Sequence, residues 1–195
     1  MTEIVPRRAL LIVDVQPTFC EGGALGVAGG NDVAERVARF ADRHREYYTL
    51  IATTQDWHID PGAHFSDTPD FIDSWPPHGV AGTEEAELHP ALEILDIDVS
   101  VKKGQYEAAY SGFEGTAPNG DTLATILSDA AITALDVVGL AESHCVKASA
   151  LDAHAIGLDV RVLEDLTVPV TEDQGVAARE EMAAAGVELI DSSRI

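Results

Sequence analysis

One stretch of the chain gathers imidazole and carboxylate side chains at a spacing that suits a metal ion. Asp56 and His58 stand two positions apart, so in an extended chain their side chains point the same way. A Pro61-Gly62 turn can bring His64 back to the same place, and His78 follows further along. Three imidazoles and one carboxylate suit Zn, Fe or Mn and lack the thiolates of a structural zinc site. The alternative is that these loop histidines only cap backbone groups.

A second reactive group is the thiol of Cys145, which follows the apolar run 135–140 at a predicted strand-to-helix turn. The positive end of a helix dipole favours the thiolate, and unpaired N–H groups there can hold an oxyanion. This position predicts a nucleophile, whereas the alternative is a small buried hydrophobic side chain. His144 is not expected to be its base, because adjacent residues on a helix diverge by roughly 100°. Cys20, in a Gly-rich turn, is interpreted as structural.

A proton acceptor and a positive charge for this nucleophile stand directly after two other predicted strands. Asp14 follows the run 9–13, and Lys103 follows the run 98–102. Together with Cys145 they would form an acyl-transfer set, in which the aspartate takes the thiol proton and the lysine stabilises the charges. The alternatives are a turn cap for Asp14 and a solvated lysine for Lys103.

The elements that must position these groups alternate along the chain. Strands are predicted at 9–13, 49–54, 98–102, 135–140, 159–163 and 187–190, and helices from about 31 to 41, 122 to 130, 143 to 156 and 171 to 185. Asn31 is the predicted N-cap of the first helix. This alternation predicts one three-layer α/β/α domain, residues 1–195, with a mostly parallel sheet of about six strands. Since ligands bind outside the carboxyl ends of such strands, the candidate residues should meet at one edge.

The segment of about 55–90 is dense in Pro, Gly, His and Trp, and its length predicts a functional loop that carries the metal site. The whole chain has 12 Lys and Arg against 34 Asp and Glu, a net charge of −22. That charge excludes nucleic acid and anionic membranes as partners, because both require a basic surface. Residues 1–6 lack the pattern of a signal peptide, and two distant cysteines make no disulfide framework, so a cytoplasmic location is expected.

Five segments in the same order along the chain resemble the isochorismatase-like cysteine hydrolases, in particular their nicotinamidase/pyrazinamidase branch. They comprise residues 10–16 with 19–23, 56–65, 75–80, 103–104 with 110–115, and 138–146. Two pairs depart from that pattern: Pro17-Thr18 before the first phenylalanine, and Glu142-Ser143 in the turn before Cys145.

The resemblance implies roles for the residues at these positions. It implies a catalytic triad of Cys145, Asp14 and Lys103, and a cis peptide bond between Leu140 and Ala141. The implied oxyanion hole consists of the backbone N–H groups of Ala141 and Cys145. The implied metal ligands are Asp56, His58 and His64, with His78 as a further candidate, and the residues implied to pack on a pyridine ring are Phe19, Trp75 and Tyr110.

The activity that the resemblance implies is a metal-dependent amide hydrolysis. Nicotinamide, and pyrazinamide with it, would yield the carboxylic acid and ammonia through a cysteine thioester, in NAD salvage. The cofactor would be one divalent ion, Zn, Fe or Mn, and the partner a small heteroaromatic amide; whether the chain forms a homo-oligomer stays open. The alternatives are another isochorismatase-like cysteine hydrolase, acting on a carbamoyl or ureido substrate, and a catalytically idle metal-binding module.

Overall fold

The computed structural model describes residues 6–195, so the signal-peptide prediction for residues 1–6 falls almost entirely outside the described range. Strands and helices alternate along the chain as predicted. The strands are β1 (Arg8–Val13), β2 (Leu50–Asp56), β3 (Val99–Lys103), β4 (Ala134–Leu140), β5 (Asp159–Val168) and β6 (Glu188–Ile190), and the helices are α1 (Gly30–Arg43), α2 (Leu123–Asp129), α3 (Lys147–Ala155) and α4 (Glu172–Ala185). Within this range no helix is long and apolar enough to cross a bilayer.

The six strands form one sheet in the order β3-β2-β1-β4-β5-β6, and every neighbouring pair is parallel. The α/β fold with a six-stranded sheet is therefore confirmed. The central strands β1 and β4 are buried along their whole length, because helices cover both faces of a parallel sheet.

Alternate residues of β1 pack into two separate hydrophobic layers. Leu11 and Val13 pack with α2, α3 and α4 on one face, whereas Leu10 and Ile12 pack with α1 on the other face. This two-residue period follows from the pleat of a strand, in which successive side chains point to opposite faces. The result is the predicted three-layer arrangement, with the sheet in the middle.

The strand order reverses between β1 and β4, since the chain leaves β1 towards one edge of the sheet and later returns to its other side. Such a reversal opens a crevice at the carboxyl ends of the two strands. Asp14 directly follows β1, and Ala141 directly follows β4. The two segments that carry the candidate base and the candidate nucleophile therefore border the same crevice.

Two local predictions need correction. The N-cap of α1 is Gly29, with φ +89°, and not Asn31. The carboxylate of Glu21 accepts hydrogen bonds from the N–H groups of Gly29 and Asn31, at 2.5 and 2.8 Å, so a distant side chain replaces the expected local cap. The second correction concerns the helix predicted from about 143 to 156. It consists of two elements, one π-helical turn, Glu142–Val146, followed by α3.

Candidate active site

The candidate base, Asp14, is held in an unusual backbone conformation. Its φ is +47°, a region that residues other than glycine rarely adopt and that is common at functional sites. Its N–H donates to the carbonyl and the hydroxyl of Thr54, at 3.2 and 3.1 Å. The Thr54 hydroxyl in turn donates to Asp14 Oδ1 at 2.5 Å. Contacts from β2 thus fix the direction of a fully buried carboxylate.

Lys103 connects the candidate base, nucleophile and metal ligands. It ends β3 and is the register partner of Asp56, which ends β2. Its Nζ lies 2.9 Å from Asp14 Oδ2 and 3.7 Å from Cys145 Sγ, and it also forms an ion pair with Asp56 Oδ1. The Ala109 carbonyl accepts from it at 3.3 Å. Two carboxylates and a thiol surround this buried ammonium group, so it is not the solvated lysine of the alternative interpretation.

Cys145 lies in the π-helical turn that follows β4 and is 7% exposed. The carbonyl of Ala141 accepts from the N–H groups of His144 and Val146, at 3.0 and 3.2 Å, which fixes the peptide plane at the start of the turn. The peptide bond between Leu140 and Ala141 is cis, as the resemblance implied. Cys145 and Ala141 both line an apolar cavity at this edge of the sheet.

The charges in this cluster shift one another's protonation equilibria. Burial raises the pKa of Asp14, and the Asp56 charge adds to the shift, whereas Lys103 opposes it. Burial also raises the pKa of Cys145, together with the charge of Asp14 and a hydrogen bond to its carboxylate. For Lys103 burial works in the lowering direction, but Asp14, Asp56 and Cys145 outweigh it and hold its pKa well above the usual value. Lysine thus stays charged beside a thiol that keeps its proton until a base takes it.

The three histidines of the loop come together as the sequence predicted. One ring nitrogen from each of His58, His64 and His78 lies within 4.8 Å of those of the others, and all three side chains are buried. Asp56 Oδ2 lies 3.5 Å from His58 Nε2 and 3.7 Å from His78 Nε2.

Backbone carbonyls fix the ring nitrogen that each of two histidines can offer. Nδ1 of His58 lies 2.5 Å from the Gly104 carbonyl, and Nδ1 of His78 lies 2.8 Å from the Pro76 carbonyl. A carbonyl accepts only from N–H, so Nδ1 carries the proton and Nε2 keeps its lone pair. His58 Nε2 and His64 Nδ1 are buried without a hydrogen-bond partner. His58 and His78 therefore do contact the backbone, as the alternative supposed, while the Nε2 atom of each ring can still bind a metal.

The protonation states also suit a metal ion. Burial and the neighbouring His78 and His58 lower the pKa of His64 to about 4. For Asp56, burial acts to raise the pKa, but Lys103 and the two histidines beside it hold that pKa well below its ordinary value. Neutral imidazole and ionised carboxylate are the forms that bind metals, and the donor set of three nitrogens and one oxygen fits a divalent ion.

A cavity of about 330 Å³ lies between the candidate nucleophile and the histidine cluster. Phe19, Trp75 and Tyr110, the three predicted ring-binding residues, all line it, and Trp75 Nε1 donates to Tyr110 Oη at 3.1 Å. A flat heteroaromatic ring could stack on such walls. Further lining residues that the sequence did not single out for this cavity are Leu25, Phe71, His144 and Val170.

Cys20, interpreted as structural, and the two lysines other than Lys103 lie apart from this chemistry. Cys20 is buried, and burial together with Glu21 raises its pKa to about 11. Lys102 packs over the ring of Trp57, 3.0 Å from its centroid. Lys147 forms an ion pair with Glu181 at 2.8 Å. None of these groups faces the cavity at the carboxyl edge of the sheet.

Known proteins share this chain's sequence and fold over almost its whole length. A family model described as the Isochorismatase domain matches residues 8–194. The chain is 50% identical to a nicotinamidase/pyrazinamidase of Mycobacterium tuberculosis, covering 95% of this chain and 100% of that protein. It is 35% identical to a nicotinamidase of Escherichia coli, with 95% of each chain covered.

A solved structure with the same fold comes from an archaeon. The pyrazinamidase of Pyrococcus horikoshii in complex with zinc superposes with a TM-score of 0.83 at 32% identity, covering 95% of this chain and 99% of that one. The family-model match and these relatives are consistent with the candidate active-site residues at the carboxyl edge of the sheet. This chain belongs to the isochorismatase family.

Proposed function

We propose that this protein hydrolyses nicotinamide, and pyrazinamide with it, to the carboxylic acid and ammonia. The observation that carries the proposal is the contact of Lys103 Nζ with both Asp14 Oδ2, at 2.9 Å, and Cys145 Sγ, at 3.7 Å, beside a cavity with aromatic walls. Relatives named as nicotinamidases and pyrazinamidases support the choice of amide. An unsubstituted carboxamide on a flat ring is the substrate class that such a cavity and nucleophile would take.

In the first half-reaction Asp14 acts as the base. Its carboxylate accepts the proton of the Cys145 thiol, and the thiolate attacks the carboxamide carbon. The negative oxygen that forms rests on the backbone N–H groups of Ala141 and Cys145. Asp14 then returns its proton to the nitrogen as the C–N bond breaks, so ammonia leaves and the acyl group stays on sulfur as a thioester.

In the second half-reaction the same aspartate activates water. Asp14 accepts one proton of the water, whose oxygen attacks the thioester carbon, and the same backbone groups hold the second oxyanion. The C–S bond then breaks, and the sulfur regains a proton from Asp14 as the acid leaves. The Lys103 ammonium stabilises the carboxylate and the thiolate at each stage, because its buried charge lies within 4 Å of both.

Asp56, His58, His64 and His78 are proposed as the ligands of one divalent ion, Zn, Fe or Mn. A bound ion would supply a Lewis acid for the ring nitrogen of the substrate, and so help to orient the amide. Phe19, Trp75 and Tyr110 would hold the faces of the ring and exclude water from around it.

The donor cluster also bears on the alternatives. A hydrolase of carbamoyl or ureido substrates has no ring nitrogen to bind, so that alternative does not explain why four candidate metal ligands converge beside the cavity. An idle metal-binding module gives no reason for the buried Asp14, Lys103 and Cys145. We further propose that residues 1–195 act as one domain and that the reaction serves NAD salvage in the cytoplasm.

Ammonia release from nicotinamide and pyrazinamide tests the proposed function. We expect turnover by the purified protein, loss of turnover after chelation, and recovery on return of Zn, Fe or Mn. Asp56→Ala should lose both the metal, measured by elemental analysis, and the activity. Asp67→Asn is the control, because Asp67 is exposed in the same loop. A metal-free protein that remains fully active would contradict the metal assignment, and an inactive metal-loaded protein would contradict the amide assignment.

A further inference from the structure

A buried carboxylate occupies the turn that carries the candidate nucleophile, and the mechanism above does not use it. Glu142 is 1% exposed and follows Ala141 directly. Its Oε2 accepts from Arg179 Nη1 on α4 at 2.7 Å, and its Oε1 lies 3.4 Å from the hydroxyl of Thr167 at the end of β5. Burying a carboxylate is costly unless it is paired, so this contact needs an explanation beyond surface charge.

A second side chain attaches the same turn to the same part of the fold. Ser143 is buried, and its Oγ accepts from the N–H of Val170, at 3.2 Å, in the link between β5 and α4. Because that oxygen already accepts one hydrogen bond, its own O–H can donate to His144 Nδ1 at 2.9 Å. Two consecutive residues of the turn, Glu142 and Ser143, are therefore attached by polar contacts to α4, to β5 and to the link between them.

The partner of Glu142 also pairs with a second carboxylate, at the surface of the protein. Arg179 extends from α4, and its second nitrogen, Nη2, donates to Glu172 at 2.7 Å. A Cβ atom on Gly175 would lie 2.7 Å from Pro169 Cγ and 3.1 Å from Arg179 Nη1, so glycine leaves room for both side chains. An arginine forms such paired contacts in a planar and directional way, which suits a contact that sets position.

We propose that the Glu142–Arg179 ion pair is a positioning device for the proposed oxyanion hole and nucleophile. Inside the turn, the Ala141 carbonyl is fixed by the N–H groups of His144 and Val146. The side chain of Glu142 attaches the same stretch of backbone to α4 through Arg179. The pair touches no substrate, and it acts through the N–H of Ala141 and the placement of Cys145.

Loss of the pair should therefore affect the chemical step more than substrate binding. Donors of an oxyanion hole act on charge that develops in the transition state, and a misplacement of about 1 Å can cost about 100-fold in rate. The ring would still be held by the aromatic residues, which lie on other segments. This inference rests on the proposed amide hydrolysis for its kinetic test.

The variants are Glu142→Ala, Glu142→Gln and Arg179→Ala, with Glu172→Ala as the matched control. Glu172 is the other carboxylate partner of Arg179, and it is exposed and forms its ion pair with Arg179 and not with the turn. For nicotinamide we expect Glu142→Ala to lower kcat by about 10- to 100-fold with KM within about twofold, and Glu142→Gln to fall between it and the parent. Glu172→Ala should stay within about twofold of the parent in both constants.

Two further measurements separate positioning from a merely structural role. Pyridine-3-carbaldehyde, which would form a tetrahedral adduct with the thiol, should inhibit Glu142→Ala more weakly, in proportion to the loss in kcat, whereas nicotinate should bind unchanged. The double variant Glu142→Ala with Arg179→Ala should be no slower than the slower single variant, because both remove one interaction. A lowered melting temperature with unchanged kcat, or a change in KM alone, would overturn the inference.

A substrate-independent measurement keeps this inference separate from the proposed function. In a Cys20→Ala background, the rate at which iodoacetamide alkylates Cys145 reports its placement without any amide. If the parent releases no ammonia, the proposed function fails. The inference is then supported if Glu142→Ala, and not Glu172→Ala, alters that rate at least about threefold. Equal alkylation rates in the parent and Glu142→Ala would overturn it.

Discussion

Lys103 and Asp14 form an ion pair of 2.9 Å in which both side chains are fully buried. A pair of this kind loses the hydration of two charges, and an apolar pair of similar volume is often at least as stable. A contribution to folding is therefore a weak reason for these residues. Their place between a thiol and the proposed metal ligands gives a chemical reason, since the lysine favours the ionised form of Asp14 against the effect of burial on its pKa.

Asp14→Asn tests the proposed base. An amide cannot accept the thiol proton, so we expect kcat for ammonia release to fall by at least about 100-fold. Metal content should stay near one ion per chain, because Asp14 is not a proposed ligand. Asp67→Asn, in the exposed loop, should keep parental activity. Asp14→Asn that retains more than about a tenth of the parental kcat would contradict the assignment of the base.

The two cysteines give an internal comparison for the nucleophile. Cys145 contacts Lys103 at the wall of the cavity, whereas Cys20 is buried in the turn before α1, and burial with Glu21 raises its pKa to about 11. We expect Cys145→Ala to abolish ammonia release and to retain the metal, and Cys20→Ala to remain active. Mass spectrometry of the parent, quenched during turnover, should find the acyl group on the peptide that contains Cys145. Wild-type turnover by Cys145→Ala would show that the nucleophile is another group.

His64 should make the metal-free protein sensitive to acid. Its pKa in the folded protein is lowered to about 4, by burial first and then by His78 and His58, against about 6.5 for an ordinary histidine. The unfolded chain therefore binds more protons between these two values, so the free energy of unfolding falls as the pH drops from about 6.5 towards 4.

Urea unfolding of the metal-free protein across this pH range measures the effect. His64→Gln should show a shallower loss of stability than the parent, because the variant lacks the titrating ring. His154→Gln is a control at a partly exposed position on α3, away from the cluster. Identical pH slopes for the parent and His64→Gln would contradict the assignment, and a proton NMR titration of the His64 ring would then give its pKa directly.

Much of the site could be predicted from the sequence because parallel strands bring their carboxyl ends to one edge. Asp14 directly follows β1, and Asp56 and Lys103 end β2 and β3, so their meeting followed from the topology alone. Glu142–Arg179 could not be predicted in this way. That contact depends on how α4 packs against the turn, which no local pattern encodes. The contact of Glu21 with the start of α1, in place of the predicted Asn31 cap, likewise depends on tertiary structure and not on a local pattern.

Thr54 is the contact of the proposed base that sequence reasoning missed, although a signal for it exists. It stands two positions before Asp56 on β2, and residues two apart on a strand share a face, so the sequence places a hydroxyl beside the first proposed metal ligand. Its hydroxyl donates to Asp14 Oδ1 at 2.5 Å, and this hydrogen bond lowers the pKa of Asp14 against the larger raising effect of burial.

Thr54→Val removes that hydrogen bond with almost no change in volume, so the pKa of Asp14 should rise further. Because the proposed base works only when ionised, the acid limb of the kcat–pH profile should move to higher pH, by up to about one unit, and kcat at low pH should fall about 10-fold. Thr53→Val is the matched control, since Thr53 is equally buried and its hydroxyl donates to Ser100, away from Asp14. An acid limb that moves equally in both variants would mean that Thr54 affects the fold of β2 and not the proton affinity of Asp14.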